Sequence, residues 1–519
     1  MGEDRQNRDL ASASGPRAAL TNLQVLRALA AFCVVVFHAS HHVSYLRRTE
    51  VLPIFDGRFG LVGVSVFFAI SGFLMARLSR TSSPDAFLAH RVLRIFPAYL
   101  AATFAYRLLG PLAGIPVQLD PIALTLAPAG PRIHPLGIEW TLVFETSFYL
   151  LITLVMALGQ VRRLEILALG WIAVIAAGSW LLPARMQDII VPPAYLVFLS
   201  PACFGFAGGL LLPWAIERRL MPPVLILVAL PLLMLTGGFS IDGSRWIAGF
   251  AAILLVGAAV QARQIGARGP AARAAVKPGD WSYALYLVHV PTIVTVSVLA
   301  PKAWSSLAVW LVAVSAALVV GSLLGIVELH AYRRLRRFAD ATAPRWRKAG
   351  GMAFAAGFVA VAIVGTYRTD AAARLIERAG VSLARLSPDE ADDEASAVAA
   401  IREEKFAIPG APPGASEGLV TASDTPAGSV SYAKGWVYDP NRPDQDFVVG
   451  IFCGGIRVAL GRPLRIRPDL PGGDRGPGRR RVGYLLEIKP PGCPADAPPV
   501  AVAVDEAGLA TVLPSAAKP

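Results

Sequence analysis

Charged residues are scarce in this chain of 519 residues. They make up 16% of it, whereas an ordinary soluble domain carries about 25%. Hydrophobic residues account for 55%, and the mean hydropathy is +0.53. Because so little charge cannot cover a soluble protein of this size, much of the surface must face something other than water. The composition excludes an ordinary soluble domain and indicates an integral membrane protein.

The positive charge does not indicate nucleic acid. The net charge is +13, but the basic residues lie between apolar runs instead of forming one patch, so the predicted partner is a lipid bilayer. Residues 1–20 lack the short apolar core and cleavage site of a removable signal peptide. The first apolar segment is therefore predicted to remain as a membrane span.

Cysteine is also rare. The four cysteines form no CxxC pair, and no metal site is predicted. Cys33 and Cys203 lie in apolar segments, where a free thiol behaves as a small hydrophobe. Cys453 and Cys493 lie in the polar tail and can pair if that tail is extracytoplasmic, which the sequence leaves open.

Eleven apolar segments approach the roughly 20 residues that a helix needs to cross a bilayer. The predicted fold class is an all-α polytopic membrane bundle, of about ten spans plus one extra helix, with a small extracytoplasmic all-β C-terminal domain. The seventh segment is short. The segments lie near 21–45, 59–77, 92–110, 137–158, 164–182, 194–215, 222–238, 246–262, 281–300, 305–330 and 350–367.

Basic residues predict the orientation. Alternate loops are rich in arginine and lysine, which is typical of cytoplasmic loops and places the amino end in the cytoplasm. An eleventh crossing then places everything after Arg368 on the far side. The loops predicted to be cytoplasmic contain Arg77, Arg80, Arg91 and Arg94, then Arg162–Arg163, Arg218–Arg219, Arg263, Arg268, Arg273 and Lys277, and the run from Arg333 to Lys348.

Composition divides the chain into four predicted parts. Residues 1–348 form a membrane domain, and residues 349–368 form the additional transmembrane helix. Residues 369–418 are rich in alanine, proline and acidic residues, which is typical of a solvated linker. Residues 419–519 show short β-branched runs broken by turns, which predict a small β-sandwich-like module.

Ionisable residues inside spans are costly, so a functional role is the first hypothesis for them. Arg27 and His38 are eleven residues apart, which places them on one helical face about 16 Å from each other. A purely structural reading is that Arg27 reaches the headgroups and His38 satisfies a neighbouring carbonyl.

Two further stretches contain polar residues. Phe67–Phe73 includes Ser71 and Gly72, which either permit close helix packing or line a substrate cavity. Arg91 and Arg94 lie one turn apart on a common face, which suits them either to hold phosphates or to set the topology.

The last two stretches supply a carboxylate and an aromatic stripe. Glu145 lies about two turns inside its span from Glu139, and a buried carboxylate needs a partner, which Arg27, His38 or a third-span arginine could be, unless the ion pair is purely structural. Glu139 and Trp140 are expected at the outer interface. Tyr283, Tyr286 and His289 recur every three residues, forming either a polar stripe in a site or a hydrogen-bonded core.

Together these stretches resemble the integral-membrane acyltransferase family 3, whose members O-acylate sugars and related surface molecules. The resemblance covers about residues 20–340. One position departs from the family pattern, since Thr141 replaces serine. The matching elements are Arg27 with His38, Phe67–Phe73, Arg91 with Arg94, Trp140–Glu145, and Ser282–His289.

The resemblance implies an O-acyltransferase that uses a cytoplasmic acyl-CoA donor, with acetyl expected, and an extracytoplasmic glycan or lipid-linked sugar as acceptor. It implies a bacterial inner membrane location. Arg27, Arg91 and Arg94 would hold the donor's phosphates. His38 would act as general base or accept the acyl group first, with Glu145 orienting it or balancing an arginine. The substrate side would include Ser71, Trp140, Tyr149, Tyr286 and His289.

Some family members carry an extracytoplasmic esterase-like domain, which this tail does not resemble because it has no Gly-Asp-Ser motif. A small β module of bacterial surface-glycan enzymes is a weaker resemblance, carried by Lys434–Pro440 and Arg467–Asp469. Two other functions stay open. A transporter or flippase would also need buried ionisable residues, and a membrane anchor could display the module as a binding domain.

Overall fold

A computed structural model gives the fold. It describes residues 20–47, 49–115, 117, 119–130, 132, 134–181, 191–236, 241–265, 270–384, 414–422, 430–437, 447–453, 456–463, 465–466, 481–488, 499–505 and 510–513. Cys493 and the centre of the predicted linker lie outside these residues. The chain divides into two compact units, Met1–Thr366 and Tyr367–Pro519, which are described separately.

Eleven α-helices in the described residues correspond to the eleven predicted apolar segments. Helices form here because lipid offers the backbone no hydrogen bonds, so each segment must satisfy its own N–H and C=O groups. The helices are α1 (Thr21–Arg47), α2 (Gly57–Leu78), α3 (Pro84–Leu109), α4 (Glu139–Ala157), α5 (Leu164–Leu181), α6 (Phe204–Glu217), α7 (Ile226–Leu235), α8 (Ile241–Gln261), α9 (Pro270–Leu299), α10 (Ser306–Ala341) and α11 (Pro344–Ala384).

Nine helices of the described chain are long and apolar enough to cross a membrane, so the protein is a membrane protein. The exceptions are α6 and α7, with 14 and 10 residues. At 1.5 Å per residue neither alone spans a hydrocarbon core of about 30 Å. Every predicted segment contains a helix. By helix length, however, fewer of these helices can cross the membrane alone than the predicted ten or so spans plus one extra helix.

Helices α1 and α9 lie side by side and run in the same direction. Gln24 Nε2 donates to Asp280 Oδ1 at 2.7 Å, and an arginine near the other end, Arg47, donates to the carbonyl oxygen of Ala300 at 2.9 Å. Since both helices are candidate spans, an odd number of crossings separates them. The short helices α6 and α7 must therefore count together, as two crossings or as none.

The packing of α2 against α6 depends on glycine. A Cβ on Gly72 would lie 2.1 Å from the carbonyl oxygen of Phe206, and a Cβ on Gly209 would lie 2.4 Å from that of Ala69. Only glycine permits this approach of two backbones, which is the packing role that small residues have in membrane helices. The close-packing interpretation is thus confirmed for Gly72.

In the described residues of the second unit, eight strands form two antiparallel sheets, ordered β1-β2-β6-β5 and β4-β3-β7-β8. Side chains from both sheets, such as Tyr484 and Ile451, share one buried core, so the module is a β-sandwich. The strands are β1 (Gly414–Ala422), β2 (Val430–Val437), β3 (Phe447–Cys453), β4 (Ile456–Gly461), β5 (Arg465–Ile466), β6 (Arg481–Ile488), β7 (Val500–Asp505) and β8 (Ala510–Val512).

Regular structure borders the centre of the predicted linker on both sides. Helix α11 continues past residue 368 to Ala384, and β1 begins at Gly414. The first residues of β1 are small, so no β-branched pattern marks them, and pairing with β2 sets the strand instead. Cys453 is disulfide-bonded, whereas Cys33 and Cys203 are free.

Candidate active site

A polar cavity of about 180 Å³ lies among α1, α2, α3, α4 and α9. Seven of the ten predicted site residues line this cavity, although they come from five different helices. The seven are Arg27, Ser71, Arg91, Arg94, Glu145, Tyr149 and Tyr286.

Arg27 enters the cavity from α1. Its Nη1 donates to Gln24 Oε1 at 3.2 Å, and Gln24 in turn donates to Asp280. Gln24 and Arg27 are three residues apart, so they lie on neighbouring turns of one face. The carboxylate of Asp280 thus holds Arg27 through a neutral amide.

Arg91 and Arg94 enter from α3, one turn apart. The guanidinium of Arg91 lies 5.8 Å from the centre of the Tyr149 ring, and its Nε has no hydrogen-bond partner among the described residues. Arg94 forms a salt bridge with Glu328 of α10 and lies 4.9 Å from the Tyr283 ring centre. Both arginines therefore lie over a tyrosine ring, and within the described residues Arg94 also has a carboxylate partner.

Glu145 is the acidic residue of the cavity. Its Oε1 accepts a hydrogen bond from the hydroxyl of Tyr149, one turn further along α4. The three arginines line the same cavity. The predicted need for a partner is met by a tyrosine in direct contact, with the arginine charges facing the same space.

Glu139 has a structural position instead. It is fully buried, and its carboxylate accepts from the backbone N–H groups of Leu136 at 2.7 Å and Ile138 at 2.9 Å. This contact fixes the loop before α4 to the first residue of the helix, where a negative charge is favourable. Burial within the protein leaves the expected place at the outer membrane interface a prediction.

His38 and His289 meet between α1 and α9. Nδ1 of His38 lies 3.1 Å from Nε2 of His289 and 3.0 Å from the carbonyl oxygen of Val34. Nδ1 of His289 lies 2.7 Å from the carbonyl oxygen of Tyr286. The parallel packing of the two helices brings these residues together, although 251 positions separate them in the chain.

Tyr286 connects the histidine pair to the cavity. Its ring centre lies 5.7 Å from that of His289, and it lines the cavity on the other side. Its hydroxyl is hydrogen-bonded to Thr141 at 2.7 Å. Trp140 packs instead against Phe144, with ring centres 6.2 Å apart. Of the predicted site residues, which are all described, His38, Trp140 and His289 lie outside the cavity lining.

An apolar cleft of about 570 Å³ lies next to this cavity, between α3, α9 and α10. Glu328 is on its wall, whereas its partner Arg94 is on the wall of the polar cavity. The salt bridge therefore lies between a charged compartment and an apolar one.

Sequence reasoning missed several partners. Gln24, Asp280 and Glu328 each contact a predicted arginine or its neighbour. His42 is stacked on His38, with ring centres 6.0 Å apart. The spacing of four between these two histidines was a usable signal, since it places both on one helical face. Glu328 was visible as an acidic residue near the end of a long apolar segment.

Comparison with known proteins identifies the family. A profile described as an acyltransferase domain matches residues 20–326, more than half of the chain. This chain belongs to acyltransferase family 3. As a member of that family it is an acyltransferase, which confirms the resemblance read from the five motifs. All the residues that line the polar cavity fall within the matched region, whereas Glu328 of the apolar cleft lies just beyond it.

Two curated relatives of this acyltransferase come from rhizobia. The exopolysaccharide production protein ExoZ of Rhizobium meliloti (strain 1021) is 30% identical over 303 residues, covering 54% of this chain and 89% of that protein. Nodulation protein 10 of Rhizobium leguminosarum bv. viciae is 33% identical over 223 residues, covering 37% of this chain and 58% of that protein. No solved structure matches the acyltransferase.

Proposed function

We propose that this acyltransferase transfers an acetyl group from acetyl-CoA in the cytoplasm to a hydroxyl of a glycan or lipid-linked sugar outside the bacterial inner membrane. The relative ExoZ is named an exopolysaccharide production protein, which supports a polysaccharide-related acceptor. The observation that carries the proposal is one cavity inside an apolar bundle that contains three arginines, a carboxylate and hydroxyl groups. So many polar groups in lipid-embedded helices favour a reaction site over packing.

The arginines support a phosphate-bearing donor. Within the described residues, the Nε of the Arg91 guanidinium is unpaired, and the hydrogen bond of Arg27 is to a neutral amide. Guanidinium groups bind phosphate oxygens in charge-assisted pairs. A cavity of about 180 Å³ is smaller than the roughly 300–1,000 Å³ of pockets for whole drug-sized ligands. It suits the thioester end of the donor, with the phosphates at the arginine-rich mouth.

His38 supplies the chemistry in this proposal. As general base its ring nitrogen takes the proton of the sugar hydroxyl while the oxygen attacks the thioester carbon. The C–S bond breaks, and the proton passes from His38 to the leaving thiolate. Alternatively His38 first accepts the acyl group and then passes it to the sugar. Both routes give an ester and a free thiol. Glu145 balances the arginine charges, and Tyr286 leads from the cavity to the histidines.

The proposed acceptor side includes Ser71, Tyr149 and Tyr286 in the cavity, with Trp140 outside its lining. The proposed orientation has the amino end in the cytoplasm and the β module outside. The disulfide of Cys453 supports this placement, because disulfides persist in oxidising compartments.

The test is acyl transfer by purified protein in liposomes, with acetyl-CoA that carries a labelled acetyl group and with surface glycan from a strain lacking this protein. We expect label in the glycan as an ester, visible by NMR. His38→Ala should abolish transfer, while His330→Ala, at an exposed histidine of α10, should not. Transfer by an inserted His38→Ala protein would refute both chemical routes. Glycan transport across the membrane without esterification would instead favour the flippase.

A further inference from the structure

A second histidine holds the ring of His38. His289 is fully buried, and its Nε2 lies 3.1 Å from His38 Nδ1. A single proton lies between these two nitrogens. Which ring carries that proton determines whether Nε2, the other ring nitrogen of His38, has a lone pair that can accept a proton. We propose that His289 is a positioning residue that fixes His38 as the tautomer with an unprotonated Nε2. This inference rests on the proposed role of His38 in acyl transfer.

The backbone sets the tautomer of His289. Its Nδ1 lies 2.7 Å from the carbonyl oxygen of Tyr286, and a carbonyl can only accept, so Nδ1 carries the proton. Among the described residues the one histidine in an ion pair is His90, and an isolated charge buried in an apolar bundle is costly. His289 is therefore neutral, with one ring proton, and its Nε2 is an acceptor.

His38 must then be the donor in the pair. Its Nδ1 faces two acceptors, Nε2 of His289 at 3.1 Å and the carbonyl oxygen of Val34 at 3.0 Å. In the opposite tautomer Nδ1 of His38 would have no proton, so it would direct a lone pair at both acceptors and could donate to neither. Nδ1–H is therefore shared between the two, and Nε2 keeps its lone pair. No hydrogen bond to this Nε2 occurs within the described part of the chain, so it is available to a substrate.

The contact matters most during the reaction. When Nε2 takes the hydroxyl proton, the His38 ring becomes positive, and the bond from Nδ1–H to His289 becomes charge-assisted. An interaction that strengthens as charge develops stabilises the transition state more than the bound substrate, and so raises kcat. His289 neither gives nor takes a proton. After the attacking hydroxyl and the base His38, His289 is the third group, and it orients the base as in other nucleophile–base arrangements. The acyl-histidine route needs the same lone pair.

Glutamine and asparagine separate this role from a merely structural one. The amide oxygen of glutamine can reach the place of Nε2 and accept from His38, whereas the shorter asparagine places its amide near Nδ1. We expect His289→Gln to keep kcat within about threefold of wild type. His289→Asn should lower kcat by about 30-fold, roughly one charge-assisted bond of 2 kcal/mol. The KM for acetyl-CoA should stay within twofold in both.

The assay is the liposome transfer reaction, with Ser297→Ala as a control. Ser297 is buried on the same helix and donates to the carbonyl oxygen of Ile293 at 2.7 Å, away from the histidines. Equal activity of the Asn and Gln variants, whether both high or both low in folded protein, would overturn the positioning role. His289→Leu replaces the Asn variant if that variant does not fold. Activity of His38→Ala would instead refute the proposed function itself, so the two failures are distinguishable.

Discussion

Arg94 of α3 and Glu328 of α10 form a salt bridge in which both side chains are mostly buried, at 16% and 8% exposure. The pair lies between the polar cavity and the apolar cleft. Glu328 neutralises the charge of Arg94. The other two arginines of the cavity, Arg27 and Arg91, then carry its positive charge. This difference predicts that the three arginines are not equivalent.

The first prediction concerns this pair. Glu328→Gln should lower stability by about 3–5 kcal/mol, because breaking a buried pair leaves an uncompensated charge. The double exchange Arg94→Glu with Glu328→Arg should recover part of the thermal stability in detergent, since the opposite charges meet again. It should not recover the KM for acetyl-CoA, because the guanidinium then lies on α10. Full recovery of that KM by the exchange would show that Arg94 is not a donor ligand.

The second prediction concerns Arg91, whose guanidinium lies over the Tyr149 ring. Arg91→Ala should raise the KM for acetyl-CoA by at least about tenfold, the loss of one charge-assisted contact of roughly 1.5 kcal/mol. Arg91→Lys should be intermediate, because an ammonium keeps the charge but not the planar fork. Arg107→Ala serves as control, since Arg107 is on the same helix and lines neither space. An unchanged KM in Arg91→Ala would remove this residue from the donor site.

The third prediction concerns helix contact. Gly72→Ala should destabilise the protein by about 1–3 kcal/mol, because the new Cβ requires the backbones of α2 and α6 to separate. Gly170→Ala is the matched control, because a Cβ there would meet nothing within 4 Å. Thermal unfolding in detergent measures both. Equal melting temperatures for the two variants would contradict the contact.

The fourth prediction concerns how stability depends on pH through His134, which lies outside the membrane-spanning segments. Burial lowers the pKa of His134 from 6.5 to about 4, opposed by nearby Asp120 and assisted by Arg132. Between these values the unfolded chain binds more protons than the folded chain, so acidification from pH 6.5 to 4 destabilises the fold. The free energy of unfolding that is lost over this pH range is at most about 3 kcal/mol, and none of it is lost above pH 6.5.

His134→Gln removes the titration while keeping a polar side chain. Its melting temperature should fall less steeply than that of wild type as the pH is lowered through this range. His330→Gln, at an exposed histidine, should keep the wild-type slope. A His134→Gln slope identical to wild type would mean that this ring is protonated as easily in the folded loop as in the unfolded chain.

The fifth prediction concerns the β module. A chain that ends after Arg368 should retain acyl transfer, because the cavity lining lies between Arg27 and Tyr286. Loss of transfer in a truncated protein that inserts and melts like the full chain would assign the module a part in the reaction.

Most of the helical fold was predictable, because apolar runs of about 20 residues are a strong signal. The lengths of α6 and α7 were not, since composition alone does not show where Pro201–Cys203 turns or where α7 ends. The module's strands were predictable where β-branched residues alternate, as in Phe447–Cys453. The start of β1 was not, because its residues are small and its place depends on β2.

The residues of the candidate site were predictable from the sequence, but the contacts between them were not. Buried charge marked Arg27, Arg94 and Glu145, since charge in a span is costly without a purpose. Their partners depend on which helices pack together, and a single sequence does not contain that. The contact of His38 with His289 follows from the parallel packing of α1 and α9, which no local pattern indicates.

The contact between Gly72 and Gly209 has a consequence for how selectivity can change. Ser71 lines the cavity and directly precedes the point where the main chains of α2 and α6 touch, so the backbone that carries this wall cannot move towards α6. Variants with altered acyl or acceptor preference should therefore arise from exchanges of lining side chains, with the α2 backbone keeping its position.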